Sequence, residues 1–99
     1  VFTLIVKTFM YEKYLSNNVK KELEKIAYNI FENRNNCLVR DITIENETTI
    51  IIIFESKPNI NLSNLIGNFK TVSSRKIRQR FNFDKNLWEQ KYYLYTNNP

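Results

Sequence analysis

Four isoleucines in succession, Ile50 to Ile53, stand inside the run TTIIIIFE. β-Branched side chains crowd the preceding turn of a helix but pack well on a pleated surface. Thr48 to Phe54 is therefore a strand. The run has no polar alternation, which predicts a central strand covered on both faces.

The neighbouring segments supply its partners. Glu45 to Glu47, ENE, reads as a tight hairpin turn, and Cys37 to Ile44, CLVRDITI, as the strand before it. Leu38, Ile42 and Ile44 give that strand partial alternation. Val1 to Thr8, VFTLIVKT, is a further strand. Leu87 to Thr96 contains the last one, KYYLYT, with Tyr93 and Tyr95 on one face and Tyr92 and Leu94 on the other.

Two stretches follow helical spacing instead. In the first, Ser16 or Asn17 is the N-cap, and Val19, Leu23, Ile26, Ala27 and Ile30 carry the stripe to about Glu32. Asn33 to Asn36 is a turn cluster. The second runs from Leu62 to Phe81, with Leu62, Leu65, Ile66, Phe69, Val72 and Ile77 as its stripe. A loop from Ser56 to Asn61, holding Pro58, precedes it. Another loop, Phe81 to Asn86, comes after it. Gly67, the only glycine, lies inside the helical pattern and is assigned to close helix packing. The order β-α-β-β-α-β predicts an α+β, ferredoxin-like fold: a four-stranded antiparallel sheet with two helices on one face. The other face is left free to bind a ligand or another subunit.

The 99 residues make one domain, 1–99, large enough for a core without disulfides or a metal. Val1 is not an initiator methionine, which leaves room for residues before it. The opening stretch is too short for a signal peptide. No apolar run approaches the roughly 20 residues of a membrane span. A single cysteine, Cys37, precludes an internal disulfide and fits a reducing, cytoplasmic setting.

The chain contains no histidine. Ser-His-Asp triads, Cys-His dyads and histidine-ligated zinc are thereby excluded. Cys37 reads as a buried structural thiol. Asp41, Glu45 and Glu47 match no calcium loop and read as solvated turn acids. No glycine-rich phosphate loop exists.

The second helix is the functional candidate. It carries five basic residues and no acidic one, in a chain of net charge +5. A cationic face of one sign points to a polyanion. Lys70, Ser74 and Arg78 fall in one i, i+4 column, with Thr71 and Arg75 beside it on the outward side. Lys76 and Arg80 lie nearer the apolar stripe. Such groups contact phosphates and supply affinity with little sequence reading.

Two blocks carry a family resemblance. One is KPNINLSNLIGNFKTVSSRKIRQRF and the other NLWEQKYYLYTNN. The first follows a pattern close to L-S-x-L-(V/I)-x-x-(L/F)-K-(G/T)-x-S-(S/A)-R. Leu62, Ser63, Leu65, Ile66, Phe69, Lys70, Thr71, Ser73, Ser74 and Arg75 supply it, followed by Phe81. Leu87, Trp88, Tyr92 and Tyr93 supply a Leu-Trp-x-x-x-Tyr-(Tyr/Phe) segment. Together they resemble the IS200-like, HUH single-tyrosine insertion-sequence transposases, a bacterial family that includes the REP-associated tyrosine transposases. The resemblance implies the same β-α-β-β-α-β order. It also implies cutting and rejoining of single-stranded DNA near hairpins, dimerisation, and a magnesium ion held by a His-hydrophobic-His motif. A tyrosine on a C-terminal helix would be the nucleophile.

The chain departs from that pattern. Aligned back from Lys70 without gaps, the resemblance puts Thr49, Ile50 and Ile51 where His-hydrophobic-His should stand; a small register change would involve Thr48 and Thr49 instead. The tyrosine-bearing helix would lie beyond Pro99, so Tyr92, Tyr93 and Tyr95 are not carried over as nucleophiles. The basic cluster after the first strand is thinned to TFMYEKY.

The expectation is therefore a transposase-like domain that has lost cleavage chemistry and kept nucleic-acid binding, with no cofactor. Lys70, Ser74, Arg75, Lys76, Arg78 and Arg80 would hold single-stranded or hairpin DNA. Trp88, Tyr92 and Tyr93 are candidate stacking residues, although a core or hinge anchor is the slightly better reading of Trp88. Two alternatives compete with this. One is an active transposase whose nucleophile lies outside the chain. The other is a structural module that forms a homodimer through its free sheet face or an edge strand.

Overall fold

A computed structural model describes residues 1–96; the last three residues assigned to the domain, 97–99, lie outside them. The elements run β1 (Phe2–Thr8), a 3₁₀ turn (Phe9–Tyr11), α1 (Asn17–Tyr28), a π-helical turn (Asn29–Arg34), β2 (Leu38–Glu45), β3 (Thr49–Glu55), α2 (Leu62–Phe81) and β4 (Trp88–Thr96). The strands form one antiparallel sheet in the order β2-β3-β1-β4. This is the expected β-α-β-β-α-β fold.

Each helix starts where a side chain can satisfy a free backbone donor. Ser16 Oγ accepts from the Val19 N–H at 3.4 Å, which settles the first N-cap. Asn61 Oδ1 accepts from the Asn64 N–H at 3.1 Å and caps α2. Helix α2 ends on Asn82, a left-handed C-cap with φ 58° whose N–H returns to the Arg78 carbonyl. Asparagine tolerates that conformation better than most residues, and it turns the chain back along the helix.

The end of the first helical segment differs from expectation. It leaves α-geometry at Tyr28 and widens into a π turn that absorbs Asn33 and Arg34. The wider turn lets two consecutive residues, Ile30 and Phe31, both point inward and become fully buried. Asn35 Nδ2 donates to the Ile30 carbonyl at 2.7 Å, and the Cys37 N–H to the Phe31 carbonyl at 2.8 Å. Cys37 is buried, as a structural thiol should be.

The core lies between the helices and one sheet face. Leu4 and Val6 of β1, Ile50, Ile52 and Phe54 of β3, and Ile42 of β2 meet Leu23, Ala27, Phe31, Leu65, Ile66, Phe69 and Ile77. Each large side chain fully buried there contributes roughly 1.5–3 kcal/mol.

The isoleucine run is central in the sheet but covered on one side only. Ile50 and Ile52 are fully buried, whereas Ile51 and Ile53 are half-buried on the open face. Both helices pack on the other face, so β3 alternates by position and not by residue type. Cross-strand registration places Thr43, Ile51, Ile5 and Tyr93 in one row across all four strands of the open face.

Two irregularities shape the end of the sheet where β1 meets β4. The β1–β4 register shifts between Val6 and Thr8, making a bulge at the start of β4. Met10 and Tyr11 both adopt left-handed backbone geometry, with φ of 56° and 57°. Each such non-glycine residue costs about 1–2 kcal/mol. Elsewhere, Gly67 is exposed, and a Cβ there would meet no atom within 4 Å, so it makes no close helix contact.

Candidate nucleic-acid interface

The buried stripe of α2 fixes which of its side chains face out. Leu65, Ile66, Phe69, Ser73 and Ile77 are buried, so Thr71, Arg75 and Lys76 are exposed. Lys70, Ser74 and Arg78 share one side, as expected, but all three are only half-exposed. They line the flank where the chain returns after Asn82.

Lys70 is tied down. Its ammonium donates to the carbonyls of Glu89 and Gln90, both at 2.7 Å, and lies 5.8 Å from the centre of the Tyr92 ring. The β4 bulge turns these two carbonyls toward α2, and Lys70 satisfies them. Burial lowers the Lys70 pKa from its ordinary value, an effect partly offset by the carboxylate of Glu89. Its first role is thus a clamp between α2 and β4, where the sequence predicted a phosphate contact.

Arg78 is underused. Its Nη2 donates to the Asp84 carbonyl at 3.4 Å, while its Nε is buried and has no partner. A guanidinium has five N–H donors, so this one retains capacity for an acceptor. Arg80 pairs with Glu22 of α1 at 3.6 Å and sits over the Phe81 ring, facing away from the groove. Arg75 and Lys76 form no ion pair among the described residues.

An open groove runs along the outer face of α2, lined by Thr71, Ser74, Arg75, Arg78, Gln79 and Phe83. Phe83 forms its far wall, stacked on Tyr14 at 4.5 Å between ring centres. A shallower groove adjoins it through Thr71 and Ser74 and reaches Lys70, Asn86, Trp88, Glu89 and Gln90. Gln79 and Phe83 were missed in the sequence. The signal for Phe83 was Asn82, whose left-handed cap folds the next residue back over the helix.

The three candidate stacking residues separate. Trp88 is 6% exposed. Its Nε1–H donates to Ser73 Oγ at 2.8 Å, and its ring lies 6.3 Å from that of Phe69. It is a core anchor with no free ring face to stack on. Tyr92 lies on the helix side of the sheet, half-buried beneath Lys70. Tyr93 projects from the open sheet face and is 45% exposed.

Thr49 and Ile51, where the resemblance would place the two histidines, lie side by side on the open face of β3. They do not fit a magnesium site. Isoleucine offers no lone pair, and Thr49 Oγ1 is shared with Thr48 Oγ1 at 3.3 Å. The cross-strand partner of Thr49 is Lys7, itself a cation. Among the described residues, no three His, Cys, Asp or Glu side chains gather to hold a metal, and no helix is long and apolar enough to cross a membrane.

Comparison with known proteins agrees with this fold. The family model described as "Transposase IS200 like" matches residues 2–98. A candidate transposase from Deinococcus radiodurans R1, solved by crystallography at 1.90 Å, superposes with a TM-score of 0.86. That alignment covers 98% of this chain and 78% of the other at 17% sequence identity, a likeness of fold. No curated protein sequence matches the chain.

Proposed function

The chain belongs to the IS200-like transposase family, and on that footing we propose that it binds hairpin or single-stranded DNA through the outer face of α2. The observation that carries this reading is the unbalanced charge of that helix. Among the described residues Arg75 and Lys76 stand exposed without acidic partners, and Arg78 lines the groove with only a 3.4 Å bond to the Asp84 carbonyl. Ser74 and Thr71 add hydroxyls between the cations. Such a surface neutralises phosphates and does not choose bases.

A titration of a labelled DNA hairpin tests the reading. If Arg75, Lys76 and Arg78 each neutralise one phosphate, affinity falls about 40-fold between 50 and 200 mM salt. Replacing Arg75 with Ala lowers the slope of log affinity against log salt by about one. Absence of binding at low salt refutes the proposal.

We propose further that this chain does not itself cleave DNA. The donor set at Thr49 and Ile51 cannot hold the metal ion that the family chemistry requires. Incubation with single-stranded DNA and magnesium or manganese should give no covalent protein–DNA adduct. Formation of an adduct by this chain would overturn that part of the reading.

A further inference from the structure

The grooves along α2 do not end at the helix. The shallow one shares Asn86, Trp88, Glu89 and Gln90 with a third concavity on the opposite side of the β4 bulge. That concavity opens toward the free sheet face and adds Lys7, Phe9, Tyr11, Lys91 and Tyr93 to its lining. Tyr11 is 65% and Tyr93 45% exposed, and Lys7 Nζ lies 5.6 Å from the centre of the Tyr93 ring. Among the described residues that line it the one acid, Glu89, is engaged: Oε1 accepts from the Met10 N–H at 2.8 Å.

The loop that carries Tyr11 is held in an unfavourable shape. Met10 and Tyr11 both have positive φ. Three contacts enforce this: the Phe9 N–H to the Leu87 carbonyl at 2.9 Å, Met10 to Glu89, and Thr8 Oγ1 to the Glu12 carbonyl at 2.7 Å. Backbone strain that the surroundings over-determine is a mark of a working surface. Here it holds an exposed aromatic ring over a cationic hollow.

We infer that this concavity is a stacking site for an unpaired base of a single-stranded nucleic acid. Tyr11 and Tyr93 are the platforms, and Lys7 and Lys91 meet the adjoining phosphates. Every base has a π face, so aromatic platforms beside cations accept single strands with little sequence preference. A paired base hides its faces in the duplex stack and gains nothing here. The amides of Asn86 and Gln90 can donate to or accept from a base edge of any kind. Continuity with the α2 grooves gives one strand a route from the basic helix, around the bulge, onto the open sheet face. The inference rests on the reading of α2 as a nucleic-acid surface.

The test compares a single-stranded oligothymidylate with an abasic strand of equal length, which has the same phosphates and no bases. Stacking of one base predicts that the abasic strand binds about 5- to 150-fold more weakly. In Y11L/Y93L the ratio of the two affinities falls to about one. In Y11F/Y93F, which keeps both rings, the ratio is retained. Circular dichroism confirms that both variants fold. Equal affinity of the wild type for the two strands overturns the stacking site and leaves the α2 reading intact. A ratio that survives in Y11L/Y93L also overturns it, because the preference then arises elsewhere. Failure of both strands and of the hairpin to bind at low salt overturns the α2 reading instead.

Discussion

Replacing Ser73 with Ala should destabilise this protein far more than its conservative appearance suggests. Ser73 is fully buried and Trp88 nearly so. The serine hydroxyl donates to the Phe69 carbonyl at 2.5 Å and accepts from the indole N–H at 2.8 Å. The alanine variant leaves that N–H in the core without a partner, at a cost of about 1–3 kcal/mol. The lost bond to Phe69 counts for little, since it is a back-bond within the helix. Alanine recovers up to about 0.5 kcal/mol in helix propensity. The net loss is about 2 kcal/mol, or about 8–16 °C in melting temperature for a domain of this size. Trp88→Phe removes the donor while Ser73 keeps its acceptor on Phe69. Ser73→Ala in that background should therefore cost almost nothing, giving a coupling of about 1–2 kcal/mol. Urea titration followed by far-ultraviolet circular dichroism measures all four proteins at one m-value. A single-variant loss under about 0.5 kcal/mol, or an equal loss in both backgrounds, would refute the role given to this pair.

Three further outcomes are expected. Gly67→Ala should raise stability by about 0.5–1 kcal/mol, because the site is open and helical; an unchanged or lower urea midpoint contradicts that geometry. Lys70→Met, which removes two charged hydrogen bonds, should cost about 1–2 kcal/mol, while exposed Arg75→Met stays within about 0.5 kcal/mol. Lys70 should also titrate below the ordinary lysine value, as read by NMR of the methylated amine. The unfolded chain then holds the proton more tightly, so the Lys70 contribution to stability rises with pH between its folded value and the ordinary 10.5. A titration at or above the ordinary value would show that the carbonyl pair outweighs burial.

The element order was legible in the sequence because local periodicity and capping agree with the tertiary packing. Ser16 and the α2 stripe act where their spacing placed them. The covering of β3 was not legible. Four isoleucines carry no sign of which pair meets the helices, and only the position of α1 and α2 decides it. Gly67 misled for a related reason, since absence of a side chain does not say whether anything approaches. The cations of α2 were visible as a set but not by role. What separates Lys70 from Arg75 is a bulge in β4 that directs two carbonyls at one ammonium, and no spacing rule announces it. Tyr93 could be assigned to a face by alternation, but its partnership with Tyr11 depends on a strained loop that nothing in TFMYEKY signals.

Trp88 is the only tryptophan in the chain. It is enclosed by the core, yet it lines both the shallow α2 groove and the concavity beyond the bulge. The molecule therefore carries an intrinsic optical reporter at the junction of its two candidate surfaces. Emission excited at the indole comes from one known position. A red shift marks opening of the core, whereas a change of intensity without a shift marks a ligand arriving beside it. Occupancy and unfolding can thus be read from one unlabelled sample in one cuvette.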